Sequence, residues 1–216
     1  MNDFFLFRYA PEIAGRSLEH LLLVLISIGI ATLIGIPLGI VITRQPRLTK
    51  GILGFANIVQ TIPSLALLGF LISVPFLGGI GNTPAIIALT LYSLLPIIRN
   101  TYLGISGVEP SIREAGRGMG MTDNELLFQV EMPLALGVIL GGVRVAAVIG
   151  IGVATIAAEI GAGGLGVLIF RGVETVNNQL ILAGAVPAAV MALLADFGIG
   201  LLENSLTPIG LRKNRK

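Results

Sequence analysis

The chain predicts an all-α fold, a polytopic membrane bundle of about five transmembrane helices, and three observations carry that expectation. At 216 residues it is 54% hydrophobic and only 12% charged, with a mean hydropathy of +0.92, far more apolar than a soluble domain. Residues 21–42, 52–73, 84–102, 134–158 and 180–202 each approach the roughly 20 apolar residues that a helix needs to cross a bilayer. The basic residues between these stretches are unevenly shared, as the positive-inside rule expects.

Composition also excludes several functions. There is no cysteine, so neither a disulfide framework nor a thiolate metal site is available. The single histidine, His20, removes multi-histidine metal centres and reads as a polar residue at a helix start. No metal site is expected. A formal charge of +2 is too small to suggest nucleic-acid binding. A phosphate-binding loop needs Gly-Lys followed by Ser or Thr, and none of Lys50, Lys213 and Lys216 follows a glycine. The chain therefore lacks an ATPase site of that kind and, with no Gly-x-Ser-x-Gly elbow, is not expected to be an enzyme on its own.

The first span, 21–42, is too long for a signal-peptide core, and Asp3, Arg8, Glu12, Arg16 and Glu19 before it have no basic bias, so it is expected to remain uncleaved. The second, 52–73, contains Asn57, Gln60, Thr61, Pro63 and Ser64. A helix broken by proline and carrying polar groups is tolerated in lipid only against protein or a water-filled cavity. Asn57, Gln60, Thr61 and Ser64, with Tyr92 of the third span, are the candidates for lining a pathway. The third span, 84–102, has Pro96 and Arg99 near its cytoplasmic end.

Residues 114–133 then form a polar island. A short helix is expected from Pro110 until Gly116, Gly118 and Gly120 weaken and end it, Gly120 acting as a hinge. Thr122 to Glu125 has the capping-box spacing, so a second helix should start there, carry Leu126, Leu127 and Val130, and stop at Pro133.

In the fourth span Gly142, Ala146, Gly150, Ala154 and Ala158 recur every fourth residue, a smooth stripe that suits close helix approach in the subunit core or at a dimer axis. Gly35 and Gly39, and Gly137 and Gly141, repeat the spacing more weakly. Arg144 lies about ten residues into that span, roughly 15 Å deep at 1.5 Å per residue, and Asp196 lies near the cytoplasmic end of the fifth. Their side chains lean toward each other, which predicts an intramembrane ion pair, structural or gating. After the fourth span Glu159, Gly161, Gly163, Gly164 and Gly166 should make a re-entrant or tightly turned segment at the outer mouth.

Placing the amino terminus outside puts Arg44, Arg47, Lys50, Arg99, Arg113, Arg117 and the basic tail, residues 212–216, in the cytoplasm, leaving Arg8, Arg16 and Arg171 outside. The island then faces the cytoplasm. No linker divides the chain, so residues 1–216 read as one membrane domain with a cytoplasmic loop at about 103–133.

Glu114-Ala115-Gly116, then Gly120, then Val130, Met132 and Pro133 have the spacing of the EAA loop of ABC importer permeases, with Gly116 for Ala, Val130 for Ile and Met132 for Leu. Residues 60–69, 92–102, 114–122 and 159–166 further resemble the permeases of osmoprotectant importers for glycine betaine, carnitine and choline. The resemblance implies a type I importer fold of the methionine-permease kind in a prokaryotic plasma membrane. Glu114, Ala115, Gly116, Gly120 and Pro133 would couple to cytoplasmic ABC ATPase subunits, which hold the ATP and magnesium. A second permease subunit would complete the pathway, and a separate extracytoplasmic protein would bind solute, since this chain has no Trp and only Tyr9, Tyr92 and Tyr102 for a cation–π cage. Two alternatives remain: an ABC permease for another small solute, such as an amino acid, a bile-acid-like compound or ergothioneine, or an ion-gradient-driven carrier or channel with Glu159 and Asp196 as its acidic groups.

Overall fold

In a computed structural model, residues 9–74 and 79–206 are described, and among them the chain is helical with no strand. The basic tail lies outside the described residues. Helix α1 (Ala10–Arg44) starts with Pro11 in its first turn, a position where the missing N–H costs little, and runs through Pro37 unbroken. Its 35 residues exceed the expected span, which it extends mainly at its amino-terminal end.

Residues 52–73 are not one continuous helix. They divide between α2 (Pro46–Thr61) and α3 (Ser64–Ser73), which meet at 99°. Pro63 has no N–H and disfavours the helical conformation at Ile62, so both residues are extended, with ψ of 130° and 135°. Counting this broken pair as one, up to five membrane crossings are present; the other four are Ala10–Arg44, Asn82–Ser106, Asp123–Ile160 and Asn178–Leu206.

Helix α4 (Asn82–Ser106) is the hub. Ala85, Ala88, Leu89, Ile97 and Ile98 are fully buried, and its neighbours approach through glycine. A Cβ on Gly35 of α1 would lie 2.8 Å from Ile97 Cγ2, and one on Gly39 would lie 2.5 Å from Thr101 Cβ. From the other side, a Cβ on Gly142 would lie 2.7 Å from the Pro96 carbonyl oxygen. These backbones are nearly touching, and dispersion between close-packed helices is the main attraction available in lipid.

The polar segment after α4 comprises α5 (Pro110–Gly118), a single turn α6 (Asp123–Glu125) and a π-helical stretch, Leu126–Glu131. Pro133 does not stop this run as expected. The helix continues as α7 (Met132–Ala157), because the wide turns shift the bonding to i→i−5, Met132 N–H donating to the Leu127 carbonyl, and so relieve the crowding a proline ring imposes on the preceding turn. A 3₁₀ turn (Ala158–Ile160), a glycine turn and α8 (Gly166–Glu174) follow at the opposite end of the bundle, and α9 (Asn178–Leu206) returns. Gly142, Ala146, Gly150 and Ala154 are buried between α7, α4 and α1, with Val24 and Ile28 of α1 next to Gly150. The stripe therefore belongs to the subunit core and not to a two-fold axis.

Candidate functional site

Helix α5 stands clear of the bundle. Gly116 is its one buried residue, while Glu114 and Ala115 are exposed, as are Ile112 and Met119. Met119 caps the helix and Gly120 follows with φ of +85°, a left-handed conformation that only glycine adopts freely. The next turn is closed by a capping box: Thr122 Oγ1 accepts from the Glu125 N–H at 3.3 Å, and the Thr122 N–H donates to Glu125 Oε2 at 2.8 Å. The glycine at position 116, where the EAA pattern has alanine, has a local reason. The fully buried Leu126 side chain lies on it, so a Cβ there would be 2.7 Å from Leu126 Cδ1 and 3.2 Å from Met121 Sδ. Pro133 is exposed at the head of α7.

Beneath α5 is a cluster that the sequence reading missed. Glu131, the unspecified position between Val130 and Met132, is wholly buried. Arg44, the last residue of α1, reaches both its oxygens, and Arg113 of α5 places Nε 2.9 Å from Oε1. Arg113 also donates to the Ile105 carbonyl in the last turn of α4. The signal was a lone acid in an otherwise apolar run, which in a folded interior requires a cation.

At the 99° break, the carbonyl of Ile62 has lost its helical partner, and the Tyr92 hydroxyl donates to it. Tyr92 is thus committed to the core at 5% exposure and does not face an open pathway. Asn57 and Thr61 are exposed, and Gln60 and Ser64 half-buried.

Arg144 and Asp196 meet in a two-pronged pair, with Nε to Oδ1 at 2.5 Å and Nη2 to Oδ2 at 2.7 Å. Glu203, seven residues further along the same face of α9, lies 3.6 Å from Nη1, and the guanidinium crosses the bare backbone of Gly200 between the two acids. That i, i+7 spacing was available in the sequence. The three side chains line an open cavity of about 460 Å³ together with Gly141, Val145 and Val148 of α7.

At the opposite end Gly161, Gly163 and Gly164 all have φ between +76° and +78°, forming a tight turn. Its lock is His20, which lies well inside α1 and is fully buried, contrary to the expected helix-start position. His20 Nδ1 accepts from the Leu165 N–H at 3.3 Å, which leaves Nε2 to donate to the Ile151 carbonyl at 3.1 Å. Glu19 accepts from the Gly164 N–H at 2.9 Å. Gly166 is packed against the Thr155 carbonyl, and Glu159 is exposed at the rim. On α8, Arg171 donates to Glu12 at 2.9 Å, and that bond raises the guanidinium pKa above its ordinary value.

Residues 35–208 match the family model described as a binding-protein-dependent transport system inner membrane component. The chain is 46% identical to the carnitine transport permease protein OpuCB of Listeria monocytogenes, over 92% of this chain and 89% of that one. It is 45% identical to the osmoprotectant import permease protein OsmW of Salmonella typhimurium, covering 94% and 95%, and 44% identical to the choline transport system permease protein OpuBB of Bacillus subtilis, covering 94% and 92%. Among solved structures, the methionine ABC transporter MetNI in an inward-facing conformation has the same fold, with a TM-score of 0.82 at 24% identity over 91% of this chain and 96% of that one. An amino acid ABC transporter crystallised with histidines aligns with a TM-score of 0.79 at 21% identity, covering 95% and 99%. With most of its length matched by the family model and its relatives at these identities, this chain is a membrane protein of the family of inner membrane components of binding-protein-dependent transport systems.

Proposed function

We propose that the chain is the membrane subunit of an ATP-driven importer of quaternary-amine osmoprotectants such as glycine betaine, carnitine and choline. The observation that carries the coupling half of this reading is the geometry of α5: an exposed helix with Glu114 and Ala115 outward, a glycine hinge after it, and a buried anchor behind it. The solute class rests on the relatives named for carnitine, choline and osmoprotectants.

The cytoplasmic ATPase subunits hold ATP and magnesium and grip α5. A separate extracytoplasmic receptor delivers solute, and a second permease subunit completes the pathway. Arg44, Arg113 and Glu131 gather at the end that bears the island, while Arg16 and Arg171 lie at the other, which supports an outside amino terminus and a cytoplasmic carboxyl terminus. ATPase binding shifts the bundle only through contacts that differ between its states, and Glu114 on α5 is placed to make them.

The test is uptake of labelled glycine betaine, carnitine and choline into proteoliposomes holding the permease, its ATPase and its receptor. Uptake should need ATP and receptor, and Glu114→Lys should lower it while uncoupling receptor-stimulated hydrolysis. Uptake by the permease alone, or normal coupling in Glu114→Lys, overturns the reading.

A further inference from the structure

Glu131 draws four pieces of the subunit to one point. Arg44 brings the end of α1, Arg113 brings α5, the Ile105 carbonyl held by Arg113 brings the end of α4, and Glu131 itself opens α7. Two guanidinium groups answer a carboxylate with no exposed surface. Such a cluster is a poor source of stability, since apolar side chains of similar size would serve as well without desolvating three charges. What it supplies is geometry: the two-pronged contact of Arg44 with Glu131 fixes angle as well as distance, while Arg113 ties α5 to the same acid by an ion pair and to the Ile105 carbonyl by a hydrogen bond. Without it α5 would be held by the contact of Gly116 with Leu126 and an exposed Arg117–Asp123 ion pair at 3.8 Å, and could swing on Gly120, a left-handed glycine where even an added Cβ would meet nothing within 4 Å.

We propose that Glu131 is a positioning residue of the transport stroke: with Arg44 and Arg113 it makes α5, the end of α1 and the head of α7 turn as one body. Displacement of α5 then reaches both spans and is not absorbed at the glycine hinge. This rests on the ATP-driven reading above, and its test separates the two.

Because the chain has no cysteine, Val41→Cys near the end of α1 and Ser111→Cys on α5, both at exposed positions, accept a pair of spin labels without background. In the permease alone in lipid nanodiscs the label distance should be narrowly distributed, and Glu131→Gln should broaden it. In proteoliposomes with ATPase and receptor, Glu131→Gln should keep basal hydrolysis per assembled complex while solute moved per ATP falls about tenfold, the scale seen for substitutions within a connected network. A merely structural role would lower the amount of complex and leave that ratio unchanged. Should Glu131→Gln fail to assemble, Arg44→Gln and Arg113→Gln each keep one partner on the acid. Both should broaden the distance and lower the ratio, and their combination should be less than additive, as groups sharing one link behave. Unbroadened distances or an unchanged ratio overturn the proposal. A wild-type permease that recruits no ATPase overturns the ATP-driven reading instead, while the label distances still decide the lock.

Discussion

Two charged clusters sit in this subunit, and they are opposites. At the end that bears α5 one acid, Glu131, has no exposed surface and is met by two partly exposed arginines. Deeper along α7 one arginine, Arg144, is met by two acids, and all three side chains are about a third to two-fifths exposed on an open cavity. A sealed cluster must keep its partners, because a stranded charge there has no water to turn to. The second is only partly buried, so the same constraint does not bind it.

The largest effect should come from breaking the sealed cluster outright. Replacing Arg44 and Arg113 together by Ala strands a carboxylate with no exposed surface and is expected to destabilise the subunit by about 3–5 kcal/mol, read as a lowered unfolding midpoint in detergent. Asp196→Asn is the counterpart: unfolding should stay near wild type while transport falls. Equal loss of stability in both variants would erase the distinction.

His20→Leu comes next. It leaves the Leu165 N–H without a partner and the Ile151 carbonyl with only its helical one, and should cost about 1–3 kcal/mol, with faster hydrogen exchange across residues 161–166. On α7, Gly142→Ala pushes against the Pro96 carbonyl and should cost about 1–3 kcal/mol by overpacking. Gly141→Ala, one residue on and facing open space, should be neutral or stabilising by up to about 1 kcal/mol from helix propensity. The smallest change is expected for Gly116→Ala. About 1 kcal/mol of helix propensity is offset by moving the end of Leu126, so thermal stability should barely shift.

Much of this architecture was legible because its cause is local. Apolar runs gave the crossings, and a proline beside Gln60 and Thr61 marked the break. The capping-box spacing at Thr122 and the demand for positive φ at Gly120 act within a few residues. The pairing of Arg144 with Asp196 follows from two helices of opposite direction. What stayed hidden depends on distant partners. His20 needs a carbonyl 131 residues away, and Glu131 needs Arg44, 87 residues before it. Pro133 was misread because a helix can widen by a residue per turn to pass it, and no short pattern announces that widening. Tyr92 looked like a pathway group because its role depends on a carbonyl exposed by a break 30 residues earlier.

The near contact of three backbones at α4 has an evolutionary side. Where Gly35, Gly39 and Gly142 press on their neighbours, almost any side chain is an obstruction, so those sites have little freedom to drift. Val145, Val148 and Gly152, one helical face away, have room to vary. Substitutions in such a lineage can therefore gather along one exposed strip of α7 while the scaffold behind it is inherited unchanged.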